Sequence, residues 1–247
     1  MKILFSPSET KVTGGTKPPI TLDNSSFTSC KESKLYILNM YDNYLHDKDD
    51  TDLKKLFGIK KESEFLKNSS IKIFEDPTMK AIKRYTGVAY DYLDYSNLTK
   101  EGQEFIDNNL LIFSNLFGPL LAKDLIPYYK LKQGEKLDDF AIESFYSKSC
   151  KEILDDYLKD QFIVDLRAGF YLKFYKSIYP YITMKFIKNG KVVSHWAKAY
   201  RGLIVKQLAN YQPQNENSFA KIPFENLSIV EIQKSGLKTE YIYEILS

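Results

Sequence analysis

Lys198 and Arg201 stand three residues apart in a stretch, Ala197 to Tyr211, whose apolar positions repeat at helical spacing. At 100° per residue they fall with Val205 on one stripe beside the buried face. Arginine recognises phosphate or carboxylate through a planar, permanently charged fork, so the pair reads as an anion clamp. Gly202 would let a ligand backbone approach. The competing reading ties Arg201 to a structural carboxylate at the core edge. A second constellation is Asp165-Leu166-Arg167-Ala168-Gly169, a buried strand running into a small-residue turn and then a helix, with Lys173 one turn on. Such strand ends are where α/β folds bind anions. Its alternative is a self-satisfied Asp165–Arg167 turn. If Ser6-Pro7-Ser8-Glu9-Thr10-Lys11 leaves a neighbouring strand, both loops border one cleft, and Glu9 and Asp165 become weak candidates for acid–base catalysis.

A third segment, Leu111 to Ala122, has the form of a degenerate helix–hairpin–helix. Asn115 stands at the first turn glycine, Gly118 at the second, and Pro119 at the first helical position after it. The rival reading is a plain connection inside a helical core. His46 and His195 are the chain's two histidines, and no triad or metal-ligand spacing joins them. His195 reads as a packed residue of a hairpin strand. No cofactor or metal is expected.

Charge separates the chain into unlike parts. The whole carries 35 basic and 32 acidic residues, yet Leu166 to Asn215 contains nine Lys and Arg and no Asp or Glu. A segment so one-sided points to a polyanionic partner. Only three of the basic residues are arginines, Arg84, Arg167 and Arg201, and two of these lie in the acid-free segment. Two cysteines imply a reducing compartment and argue against a disulfide framework. No apolar run approaches the roughly 20 residues a membrane helix needs. The opening residues are too short an apolar run for a signal peptide. A cytoplasmic protein, without membrane association and most simply a monomer, is expected.

These groups are positioned by a mixed set of elements. Lys2 to Phe5 reads as a short buried strand, Glu9 to Ser29 as loop, and Lys31 to about Tyr95 as helices, with a stop at Gly58 and a start at Pro77. Thr99 opens a helix carrying Phe105, Ile106, Leu110 and Phe113 at helical spacing. Asp138 to about Leu158 reads as one more helix. Tyr181 to Lys188 and Lys191 to Trp196 flank Asn189-Gly190, a strong hairpin signal. Ile229 to Ile232 and Tyr241 to Leu246 look like a closing strand pair. The expectation is one α/β domain over residues 1–247, a mixed central sheet surrounded by helices with a basic cleft.

Taken together the segments resemble the YaaA family of bacterial peroxide-stress proteins. The resemblance runs from Lys2-Ile3-Leu4-Phe5-Ser6-Pro7-Ser8-Glu9-Thr10-Lys11 through Gly87-Val88-Ala89-Tyr90 and Leu116-Phe117-Gly118. It continues with Asp124, Tyr129, Lys130, Leu131 and Gly134, then Asp165 to Tyr171 and Lys198-Ala199-Tyr200-Arg201-Gly202-Leu203. It implies a one-domain fold with a positively charged cleft, DNA binding through a helix–hairpin–helix-like element, protection during hydrogen peroxide stress and a link to limiting free iron. Departures fall mainly on the hairpin. Leu121-Ala122 replaces the family's Arg-Pro, Tyr128-Tyr129-Lys130 replaces Pro-Tyr-Arg, and Asn115 replaces the first glycine. The leading expectation is a non-enzymatic DNA-binding protein whose cleft holds the backbone with Lys11, Lys130, Arg167, Lys173, Lys198 and Arg201, with Asn115 and Gly118 contributing from the turn. The alternative is an enzyme acting on a nucleotide or other phosphorylated substrate in the same cleft.

Overall fold

Ile3, Leu4 and Phe5 have no polar face to offer water, and they form the strand at the centre of the molecule. In the computed structural model, which describes residues 1–246 with the side chains of Ser194 and His195 excepted, strand β1 (Lys2–Phe5) lies between two parallel neighbours. The loop after it, Ser6 to Ser29, is pinned by bridges from Lys11 to Tyr85 and Lys17 to Thr78. Three helices follow: α1 (Lys31–Asp47), α2 (Asp50–Phe57) and α3 (Glu62–Asn68). Asp49 caps α2 through the N–H groups of Thr51 and Asp52, and Gly58, at φ 67°, ends it. Pro77 opens no helix directly; β2 (Met79–Lys80) intervenes before the short α4 (Ala81–Arg84) and α5 (Val88–Leu93).

The Thr99 hydroxyl accepts from Gly102 N and opens α6 (Lys100–Asn109) as its sequence indicates. The helix then stops short of the expected length. Residues Leu110–Ser114 form strand β3, Gly118–Leu121 form β4, and the two pair antiparallel. The segment is therefore a β-hairpin, not a helix–hairpin–helix. Every residue from Leu110 to Ala122 is buried, so the run has no polar positions to mark its period, and apolar runs of this kind fit strand and helix alike.

After β5 (Leu125–Ile126) come α7 (Ile142–Ser149) and α8 (Lys151–Leu158), two helices interrupted at Cys150 where one was expected. Strand β6 (Ile163–Asp165) runs into a 3-10 turn over Gly169–Phe174. Strand β7 (Tyr181–Lys188) turns at Asn189 and Gly190, at φ 51° and 71°, into the two-residue β8 (Lys191–Val192). The hairpin arm ends there, because α9 (Ser194–Tyr211) begins three residues earlier than the sequence suggested. His195 is thus on a helix, not a strand, and its side chain lies outside the description. The chain closes with α10 (Glu216–Phe219), β9 (Leu227–Ser235) and β10 (Lys238–Ile245).

The sheet order is β4-β3-β1-β6-β7-β10-β9, with β8 paired to β7. The four pairs from β3 to β10 are parallel and the margins are antiparallel. This is a mixed α/β fold with one continuous core. No helix among the described residues is long and apolar enough to cross a membrane. The chain leaves β1 first towards β3 and later returns on its other side with β6. A crevice therefore opens beyond the carboxyl end of β1, where such sheets place ligands.

Candidate anion-binding cleft

That crevice is a cleft of about 450 Å³. Its floor and one wall come from Phe5 to Thr10 after β1, and Leu166, Ala168 and Tyr171 follow β6. Thr86 to Tyr90 and Gln133 close another side, and Lys198 and Arg201 reach in from α9. Ser6 ties the two strand ends together: its hydroxyl accepts from Ala168 N at 2.8 Å, and its carbonyl accepts from the Tyr90 hydroxyl at 2.9 Å. Gly87 sits at φ 95°, ψ 176°, a conformation for glycine, and a Cβ there would lie 3.0 Å from Thr10 Oγ1 and 3.3 Å from Ser8 Oγ. Thr10 Oγ1 in turn donates to the Thr86 carbonyl at 3.0 Å. The loop after β1 and the turn before α5 are thus locked face to face.

The three arginines have three different employments. Arg84 is fully buried and donates to the carbonyls of Val12, Pro77 and Ile126, a fork laid on backbone. Arg167 is buried against Asp165, with Nε 2.9 Å from one carboxylate oxygen and Nη2 2.6 Å from the other. Its Nη1 donates to the carbonyls of Tyr171 and Tyr175, and its guanidinium lies 4.4 Å from the Phe113 ring centroid. Each of the three guanidinium nitrogens has an acceptor within the protein. The self-satisfied turn is therefore the outcome here, and neither Asp165 nor Arg167 lines the cleft. Arg201 is half-buried in the cleft and has no hydrogen bond or ion pair among the described residues. Burial depresses its pKa, and the carboxylate of Asp165 opposes that shift. Lys198, exposed beside it, completes a cationic wall.

Gly202 has a different task from the one its spacing suggested. A Cβ there would fall 2.0 Å from the Ala89 carbonyl oxygen, so the residue lets α9 seat directly on α5. The glycine brings Arg201 to the cleft by helix packing.

Glu9 lines the cleft from the β1 loop, its Oε1 accepting from Gln133 N at 3.1 Å. Of the expected carboxylate pair, only Glu9 is in the cleft. Lys11 leaves the same loop half-buried, with Nζ 4.1 Å from the Tyr129 ring centroid and 3.3 Å from the Glu9 carbonyl. Burial first, then the neighbouring Lys130 charge, pull its pKa down to about 7. Lys173 is exposed over Phe170 on the 3-10 turn.

Asn115 and Gly118 are not at a surface. Asn115 donates to the Leu131 carbonyl at 2.7 Å and accepts from the Tyr129 hydroxyl at 3.0 Å, in a network with Ser114 and Tyr85. The left-handed residue of the turn is Gly118, at φ 63°, and a Cβ on it would meet the Tyr146 ring at 2.7 Å. The backbone N–H groups of Leu116 and Phe117 donate to Ser114 Oγ, so they are not offered to a phosphate. His46 is exposed on α1 beside the Asp42 carbonyl. Among the described residues no group of three or more His, Cys, Asp or Glu is placed to hold a metal ion.

The family model of the peroxide stress protein YaaA matches residues 1–233. The chain belongs to the YaaA family. Relatives match over most or all of their length: an uncharacterised Campylobacter jejuni protein is 45% identical over 247 residues, all of both chains. A UPF0246 protein of Corynebacterium glutamicum is 32% identical over 228 residues, covering 88% of this chain and 89% of its own. A Fusobacterium nucleatum UPF0246 protein is 25% identical over 93% of each. The family is that of peroxide stress proteins, and a role in peroxide stress comes with membership. The YaaA-like segments at Ser6 to Thr10, Gly87 to Tyr90 and Lys198 to Arg201, far apart in sequence, border this single cleft. Sequence reasoning names Glu9, Lys198 and Arg201 as site residues, holds Ser6, Gly87, Tyr90 and Tyr171 only within longer segments, and misses Gln133. The Gly87-x-x-Tyr90 spacing was the available signal.

Proposed function

We propose that this protein serves the peroxide response by binding the phosphate backbone of DNA at the Lys198–Arg201 wall of the cleft. The observation that carries the reading is Arg201: a half-buried guanidinium with no partner among the described residues, held in a crevice beyond the central strand. A partly desolvated charge is costly unless a counter-charge completes it, and a phosphate oxygen matches its fork. Lys173 and Lys11 extend the positive field, Lys11 fully so only when protonated. Arg167 stands beneath the site and positions it. Phosphate contacts orient a protein on DNA without reading bases, so weak sequence preference follows. The limiting of free iron that the family resemblance implies is a further part of this proposed role.

A second reading rests on a specific observation. The cleft volume is that of a small-ligand site, and Glu9 and Arg201 both line it. A nucleotide or other phosphorylated molecule, with Glu9 as acid–base group, fits the same wall. Binding of a short duplex and of a mononucleotide, measured under one salt condition, separates the two. Duplex affinity at least about tenfold above the mononucleotide supports DNA; comparable affinities support the small-molecule site.

A further inference from the structure

A second cavity of about 400 Å³ shares no lining residue with the cleft. One side is the loop from Pro18 to Ser25; the rest is Lys34 of α1, Phe117 and Leu120 of the buried hairpin, and Asp124 to Ile126. Its surface is predominantly apolar. Two polar atoms of its lining are buried without a hydrogen-bond partner among the described residues. Lys34 is fully buried, yet its Nζ has no hydrogen-bond partner among the described residues, and the same holds for Ser25 Oγ. Four buried side-chain polar atoms are in this condition among the described residues, and two of them belong to this one cavity. The Phe27 ring, its centroid 5.6 Å from Lys34 Nζ, offsets part of the cost of burying that charge but supplies no hydrogen-bond acceptor in its plane.

Asp124 is the carboxylate whose charge acts on Lys34, and both of its oxygens already accept hydrogen bonds. One accepts from Ser26 N at 2.9 Å and Ser26 Oγ at 2.5 Å, and the other accepts from Leu121 N at 2.9 Å. That carboxylate braces the loop against the hairpin. Burial pulls the Lys34 pKa down, and the Asp124 charge only opposes the shift.

The geometry points to a binding site for a small apolar carboxylate, one oxygen on Lys34 Nζ and the other on Ser25 Oγ, its hydrocarbon body against Ile20, Leu22, Phe117, Leu120 and Ile126. One ammonium and one hydroxyl match the two oxygens of a carboxylate. A phosphate dianion would bring a second negative charge close to Asp124 with no donor to meet it. The apolar walls favour a ligand whose remainder is hydrocarbon.

Calorimetric titration of the full chain with decanoate tests this, with decanol as the uncharged molecule of equal length. Saturable one-to-one binding of decanoate is expected, with decanol at least about tenfold weaker, the loss expected for a charged hydrogen bond. Lys34→Met keeps the side-chain length, removes the unpaired charge and should fold with an unchanged or higher Tm while losing decanoate affinity about tenfold or more. Ser25→Ala, at the loop, should weaken decanoate several-fold, and it decides the matter if the lysine variant does not fold. Absence of saturable binding, equal affinity for decanol, or unchanged decanoate affinity in the variants would overturn the proposal. A Lys34→Met protein that is stabilised and binds nothing differently would mean that water alone fills the cavity.

Discussion

Arg167 takes both carboxylate oxygens of Asp165, and this pair leaves Arg201 as the arginine that faces the cleft. The two arginines come from one acid-free segment, share the influence of one carboxylate and do opposite things. Arg167 spends its fork on holding the strand end after β6. Arg201 is held where the Asp165 field still reaches it, without a hydrogen bond among the described residues.

Removing one member of the buried pair leaves the other charged and unpaired. Asp165→Ala should lower the unfolding free energy by about 3–5 kcal/mol, measured by denaturant unfolding. A loss under about 1 kcal/mol would show that water reaches Arg167 and that the pair is not buried in solution.

Gly202→Ala pushes a methyl carbon against the Ala89 carbonyl, 2.0 Å away. The seat of α9 on α5 must open, at a cost of about 1–3 kcal/mol. Because that seat carries Arg201, anion affinity should fall together with Tm. Affinity preserved alongside lost stability would separate helix packing from the cleft.

Lys11 gives a pH dependence whose sign follows from its folded pKa of about 7, below the ordinary 10.5. In the folded protein the ammonium is disfavoured. Stability from this group is therefore lowest below pH 7 and rises between about 7 and 10.5, where the unfolded chain holds more protons. Affinity for DNA runs the other way, falling as pH rises through about 7 and the charge is lost. Lys11→Met should flatten both profiles, read by Tm and by binding a unit either side of that value.

Part of this design is legible in the residues. The Lys198–Arg201 stripe, the strand β1 and the closeness of the β1 and β6 loops follow from helical spacing, an apolar run and the logic of parallel sheets. The β3–β4 hairpin was misread because Leu110 to Ala122 is buried throughout, and a strand without a wet face has no alternation to display. The division of labour between Arg167 and Arg201 was not decidable from spacing. It depends on which guanidinium the Asp165 side chain meets, and that is fixed by the turn at Leu166 to Gly169 and by carbonyls at Tyr171 and Tyr175. Gly202 was assigned to a ligand because its contact, Ala89, lies over a hundred positions away in the chain.

Gly87→Ala tests whether the loop lock shapes the site. Alanine at φ 95° is strained and crowds Thr10 and Ser8. A loss of about 1–3 kcal/mol is expected, with weakened binding because the β1 loop shifts. Unchanged binding would show that the loop does not touch the ligand.

The central claim is that Arg201 meets a phosphate. Duplex affinity measured across a salt series, for the native protein and for Arg201→Ala, tests it most directly. The variant should keep its fold and its Tm, bind more weakly at every salt concentration, and show a log–log salt slope shallower by about 0.9, one phosphate contact. An Arg201→Ala protein with native affinity and native slope would contradict the account.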